Sequence, residues 1–138
     1  MIPLTGWALC RSSTIEKSLS DYVAAYPHRL EDGLLPHPNE KVRERVFSDR
    51  RRLDVLLLDR EGLPVIVECK RYQITVDDVR QLQRYLKRLR AETRKRLRGI
   101  LVHGGARKLR SEVRRAARVK PVVELVQFRV DVEFSLSH

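Results

Sequence analysis

The chain has 138 residues, 42% of them hydrophobic, which is enough for one domain with a real core and too little for two, so residues 1–138 are expected to form a single domain. Lys and Arg number 29 against 18 Asp and Glu, a formal net charge of +11, and that excess points to a polyanionic partner, nucleic acid before any other. No apolar run approaches the roughly 18 residues of a membrane span, the N-terminus lacks the pattern of a secretory leader, and Cys10 and Cys69 are too few for a disulfide framework or a zinc site, so a soluble, cytoplasmic protein without a membrane partner is expected.

In chain order, Ile15, Leu19, Tyr22, Val23 and Tyr26 recur at helical spacing, and Ser13 with Glu16 fits a capping box, so a first helix is expected over 13–26. The segment "PHRLEDGLLPHPNEK" reads as a turn-rich connection with a short strand near Leu34 and Leu35, and a further strand is expected from Lys41 to Phe47. "LDVLLLD" and "LPVIVECK" are two β-rich runs separated by "REG", an antiparallel hairpin with Pro64 at a strand start. Thr75 and Asp78 form a second capping box, and Val79, Leu82, Leu86 and Leu89 carry a long helix to about Arg90. "RGILVHGG" is a short apolar strand, residues 107–118 form a strongly basic helix, and "PVVELVQFRVDVEF" supplies one or two terminal strands.

The run "VIVECKRY" interrupts a buried-looking strand with opposite charges one residue apart. Because side chains alternate across a strand, Glu68 and Lys70 share a face, roughly 7 Å apart along the chain, while Val67 and Cys69 point to the other. Asp54 breaks the preceding apolar strand and can approach Glu68 across the hairpin ladder. Neighbouring carboxylates repel unless a cation joins them. A hard divalent ion, Mg²⁺ or Mn²⁺, suits Asp54, Glu68 and the backbone carbonyl of Cys69, with Lys70 beside the attacking water. The competing account is a same-face salt bridge between Glu68 and Lys70 on a half-exposed sheet, with Asp54 capping a turn or bonding a nearby Arg.

"RRLDVLLLDREGLPVIVECK" resembles the core of the PD-(D/E)XK nuclease superfamily, whose Asp, Glu and Lys form a metal-dependent site. More narrowly, "IEKSLSDYV", "LEDGL", "RRLDVLLLD", "VIVECKR" and "VRQLQRYL" together resemble the nuclease domain of NucS (EndoMS)-type endonucleases and their RecB-like relatives, from residue 15 to about 103. The resemblance implies an α/β, restriction-endonuclease-like core with a mixed central sheet of four or five strands flanked by helices. It implies Mg²⁺- or Mn²⁺-dependent hydrolysis of DNA phosphodiesters, with Asp54, Glu68, Lys70 and Gln81 as catalytic residues. Gln81 matches a family glutamine that holds phosphate or water, and Tyr85 a tyrosine that stacks or hydrogen-bonds nearby; core burial of Tyr85 and a surface role for Gln81 are the alternatives. Glu16 matches a glutamate near the metal, or serves only as the helix cap. Arg52 matches an arginine that meets phosphate or orients the acid.

The family carries an N-terminal domain for dimerisation and DNA binding, and this chain is expected to begin almost at the nuclease helix. The proline of the superfamily name is replaced by Leu53. A Holliday-junction or transposon-end nuclease and a non-catalytic DNA-binding or assembly module of the same fold are the alternative readings. Residues 84–120 hold 15 basic residues against Glu92 and Glu112, so Arg84, Arg88, Arg110, Arg114 and Arg118 are expected on the DNA backbone. Val130, Val132 and Phe134 alternate with Arg129, Asp131 and Glu133, a half-buried strand whose edge could pair with a second copy in a homodimer. His28, His37, His103 and His138 show no metal-ligand spacing; His103 ends a strand, where it could touch the active face, though a structural role is the commoner one for such a residue.

Overall fold

The structure, a computed structural model, describes residues 15–39, 55–105 and 107–137, and of Ile15 and Glu16 the backbone alone. The elements are α1 (Ile15–Ala25), a 3₁₀ turn (Pro27–Arg29), β1 (Leu35–Pro36), β2 (Val55–Leu58), β3 (Pro64–Lys70), α2 (Val76–Thr93), β4 (Arg98–His103), α3 (Ser111–Arg118) and β5 (Val123–Gln127). The five strands form one mixed sheet in the order β1-β2-β3-β4-β5. The first two pairings are antiparallel and the last two parallel. Gly62 at φ 84° turns the β2–β3 hairpin, and Asp59 accepts hydrogen bonds from the amides of Glu61 and Leu63 to close it.

Helices α2 and α3 each connect parallel neighbours and step in the same direction across the sheet, so connections of one hand put both on one face. The core divides accordingly. Leu56, Ile66, Leu101 and Val123 pack under Val79, Leu82, Leu86 and Leu89 of α2 and Val113 and Ala117 of α3. Val55, Leu57, Val65, Val67, Cys69, Ile100 and Val102 pack on the other side with Leu19 and Val23 of α1. Strands β3 and β4 are therefore covered on both faces, which is why they read as nearly unbroken apolar runs. The α2 stripe sits so close to the sheet that a side chain on Gly99 would lie 2.6 Å from Leu86 Cδ1.

Helix α2 begins with the expected reciprocal capping box between Thr75 and Asp78 and runs past Arg90 to Thr93, where Arg94 takes the left-handed conformation. Two expected elements differ. The basic helix starts at Ser111 rather than residue 107, because Arg110 is still extended and serves as its N-cap. The terminal strand ends at Gln127, and residues 128–137 have no regular structure. His103, the last residue of β4, is the partner of Gln127, so the sheet offers no further ladder to the alternating residues that follow. Val132 and Phe134 are exposed, Phe134 by 95%, rather than half-buried in a strand. The strand expected over 41–47 and the Ser13 capping box lie outside the described residues.

Candidate active site at the carboxyl ends of the central strands

Glu68 and Lys70 leave the same face of β3, near its carboxyl end. Their parallel partners are Leu101 and His103, and Leu101 belongs to the core beneath α2, so both charged side chains lie on the α2 face. Lys70 Nζ stands 3.7 Å from Glu68 Oε1, with side chains 19% and 11% exposed. A carboxylate this shielded demands cationic company, which the ammonium provides. Cys69 directs its thiol into the α1-side core, away from the two charges.

His103 is the β4 partner of Lys70, a placement that strand-end position alone did not decide. It is buried, and burial lowers its pKa against the opposing effect of the Gly104 carbonyl, so the neutral imidazole is favoured. The loops leaving β3 and β4 are locked together just beyond: Gly104 N donates to Lys70 O at 3.0 Å, and Gln73 Nε2 to Lys108 O at 3.3 Å. A Cβ on Gly104 would collide with the Arg71 carbonyl oxygen, so only glycine lets the two backbones approach.

Residues 15–128 match the family model described as the endonuclease NucS C-terminal domain. The chain belongs to that family. The match continues beyond residue 103, through α3 and β5. Endonuclease NucS 2 of Halobacterium salinarum is 34% identical over 128 residues, 91% of this chain and 48% of that protein. Endonuclease NucS of Pyrococcus furiosus is 35% identical over 87 residues, 63% of this chain and 31% of that protein. Among solved structures, EndoMS in apo form superposes with a TM-score of 0.64 at 26% identity, covering 82% of this chain and 45% of the other. EndoMS in a dsDNA complex gives 0.62 at 26% identity, covering 83% and 44%. This NucS C-terminal domain thus has the restriction-endonuclease-like fold and spans half or less of the relatives it matches.

Within this NucS domain the structure brings together Glu68, Lys70 and the Cys69 backbone. Gln81, Arg84 and Arg88 are exposed on α2. Arg88 lies 5.1 Å from the centre of the Tyr85 ring and 3.9 Å from Glu92. Tyr85 itself is 5% exposed and part of the α2 core, so its ring is not presented for stacking on a base. The α2 register that puts Gln81 and Tyr85 on neighbouring positions turns one outward and the other inward. Arg114 and Arg118 are exposed on α3, and Arg110 at its start pairs with Glu112 at 3.7 Å. Asp54, Arg52 and the Glu16 side chain lie outside the described residues.

Among the described residues, no group of three or more His, Cys, Asp or Glu is arranged to hold a metal ion. The oxygen donors that are described, the Glu68 carboxylate and the Cys69 carbonyl, suit a hard divalent ion, and the inward-turned thiol removes the one soft donor.

The sequence reading missed Arg98. At the amino end of β4 its guanidinium holds Glu31 at 2.6 Å, Asp59 at 3.1 Å and Glu124 at 2.6 Å, far from Lys70. The Arg98 hydrogen bond holds the Glu31 carboxyl below its ordinary value. Burial opposes ionisation of Asp59, but the amide of Leu63, then Arg98 and the amide of Glu61, outweigh it and lower that pKa as well. Nothing local signals the cluster, since its members come from a loop, a hairpin turn and two strands.

Proposed function

We propose that this chain is the nuclease domain of a Mg²⁺- or Mn²⁺-dependent DNA endonuclease that hydrolyses phosphodiester bonds. The single observation behind this is the shielded Glu68 carboxylate with Lys70 3.7 Å away on one strand face. Family membership and the net charge of +11 agree with it. Glu68 and the Cys69 carbonyl would hold the ion together with Asp54, the acid that immediately precedes β2 in the sequence. A bound ion of this kind lowers the pKa of water and polarises a phosphoryl oxygen. Lys70 orients the attacking water and offsets negative charge as it develops on the phosphoryl oxygens. Exposed Gln81, on the helix following β3, meets the substrate phosphate or the attacking water.

DNA is proposed as the substrate because a neighbour of the same fold is described in complex with dsDNA. The test is incubation with labelled single-stranded, duplex, branched and mismatched DNAs, with Mg²⁺, Mn²⁺ or excess EDTA. Cleavage that requires the metal and disappears in Glu68→Gln is the expected result. Cleavage that survives EDTA, or no cleavage of any DNA by a chain that folds and binds metal, overturns the proposal.

A further inference from the structure

A groove of ≈1150 Å³ opens between the first turns of α2 and the start of α3, beginning at Gln73 in the loop that leaves Lys70. The locked pair of loops connects it directly to the carboxyl ends of β3 and β4. Among the described residues its basic wall is made by Arg80, Arg107, Lys108, Arg110 and Arg115, against which stand only Asp77 and Glu112. Arg110 is also the N-cap of α3, and a guanidinium has no acceptor to offer the helix's opening amides, so they add further positive potential on this side.

We infer that this groove is the track for the sugar–phosphate backbone of duplex DNA on its way to the Glu68–Lys70 site. The inference rests on the DNA-endonuclease reading above and adds which surface grips the substrate. The volume exceeds the roughly 300–1,000 Å³ of small-molecule pockets, which favours a polymer over a free nucleotide. Among the described residues lining it none is aromatic, whereas proteins that grip single strands stack bases on aromatic rings. Charge without stacking surface suits backbone contact. The opposite end of β4 has the reverse character: Glu31, Asp32, Asp59, Glu61 and Glu124 there outnumber Arg60 and Arg98. This polarity among the described residues turns the groove toward a polyanion during approach. Exposed Arg29 and Arg60, which do not line the groove, are the internal controls.

The experiment measures binding of a fluorescent DNA duplex to the chain in excess EDTA over a salt series, so that no cleavage intervenes. Arg80→Gln, Arg107→Gln and Arg115→Gln are each expected to weaken binding and to reduce the slope of log K against log salt by about 0.9 per phosphate contact removed. Arg29→Gln and Arg60→Gln are expected to leave the slope unchanged. Equal slopes in all five variants, or tighter binding of a single strand or of an RNA duplex than of the DNA duplex, overturns the inference. Groove-dependent binding by a chain that cuts nothing with metal present would sink the nuclease reading and keep the groove; metal-dependent cutting with unaltered slopes would do the reverse.

Discussion

Lys70 Nζ and Glu68 Oε1 lie 3.7 Å apart on one face of β3, and the two groups are expected to separate in function. Glu68→Gln removes the negative charge that attracts a divalent ion, so the Mg²⁺ concentration giving half-maximal cleavage is expected to rise steeply, with turnover lost. Lys70→Ala is expected to lower the rate about 10²- to 10³-fold, as loss of one transition-state stabiliser does, with the Mg²⁺ midpoint unchanged. Cleavage rates across a metal titration check both. Retained activity with a lower Tm in Lys70→Ala would reduce the pair to a structural ion pair.

The Arg98 cluster predicts an acid-sensitive fold. Glu31 and Asp59 have folded pKa values below their ordinary 4.5 and 3.8, so the folded state binds fewer protons than the unfolded one at low pH. Their contribution is complete above those ordinary values and is lost as pH falls through the lower folded ones. Denaturation midpoints measured between neutral pH and pH 3 are expected to drop across that window, and less steeply in Arg98→Met. Parallel curves for the two proteins would count against the cluster as the cause.

Gln83 joins α2 to the end of α3, donating through Nε2 to Ala116 O at 2.7 Å and Val119 O at 2.9 Å. Ala116 O also accepts the Val119 amide at 3.2 Å in the last turn of α3, and Gln83 adds a side-chain donor to both carbonyls at that helix terminus. Gln83→Ala is expected to cost about 1–3 kcal/mol of stability in urea denaturation and to speed amide exchange in α3 first. Gln83→Glu, which keeps the length but loses the donor, is expected to fare no better.

Two glycines separate strain from function. Gly62→Ala meets open space at φ 84°, so it is expected to cost about 1–2 kcal/mol without changing turnover. Gly104→Ala drives a methyl into the Arg71 carbonyl beside Lys70, and is expected to lower turnover as well as stability, by about 1–3 kcal/mol. Urea midpoints and single-turnover rates on the two variants check the contrast.

Much of this domain was legible in local pattern. Period-two alternation put Glu68 and Lys70 on one face of β3 and Cys69 on the other, the capping box marked the start of α2, and the turn after Asp59 announced the hairpin, because each depends on neighbours within a few residues. The sequence also carried the family resemblance that the match over 15–128 bears out. Tertiary structure decided the rest. Tyr85 sits one helical turn from Gln81, yet only the packing of α2 on the sheet determines that it turns into the core. The alternating residues after Gln127 have the pattern of a strand, but a strand needs a ladder partner and β4 has ended. The ion cluster of Arg98, and the choice of Arg80, Arg107 and Arg115 rather than Arg84 and Arg118 as groove residues, depend on segments that meet only after the sheet has assembled, since charge has long reach and no period.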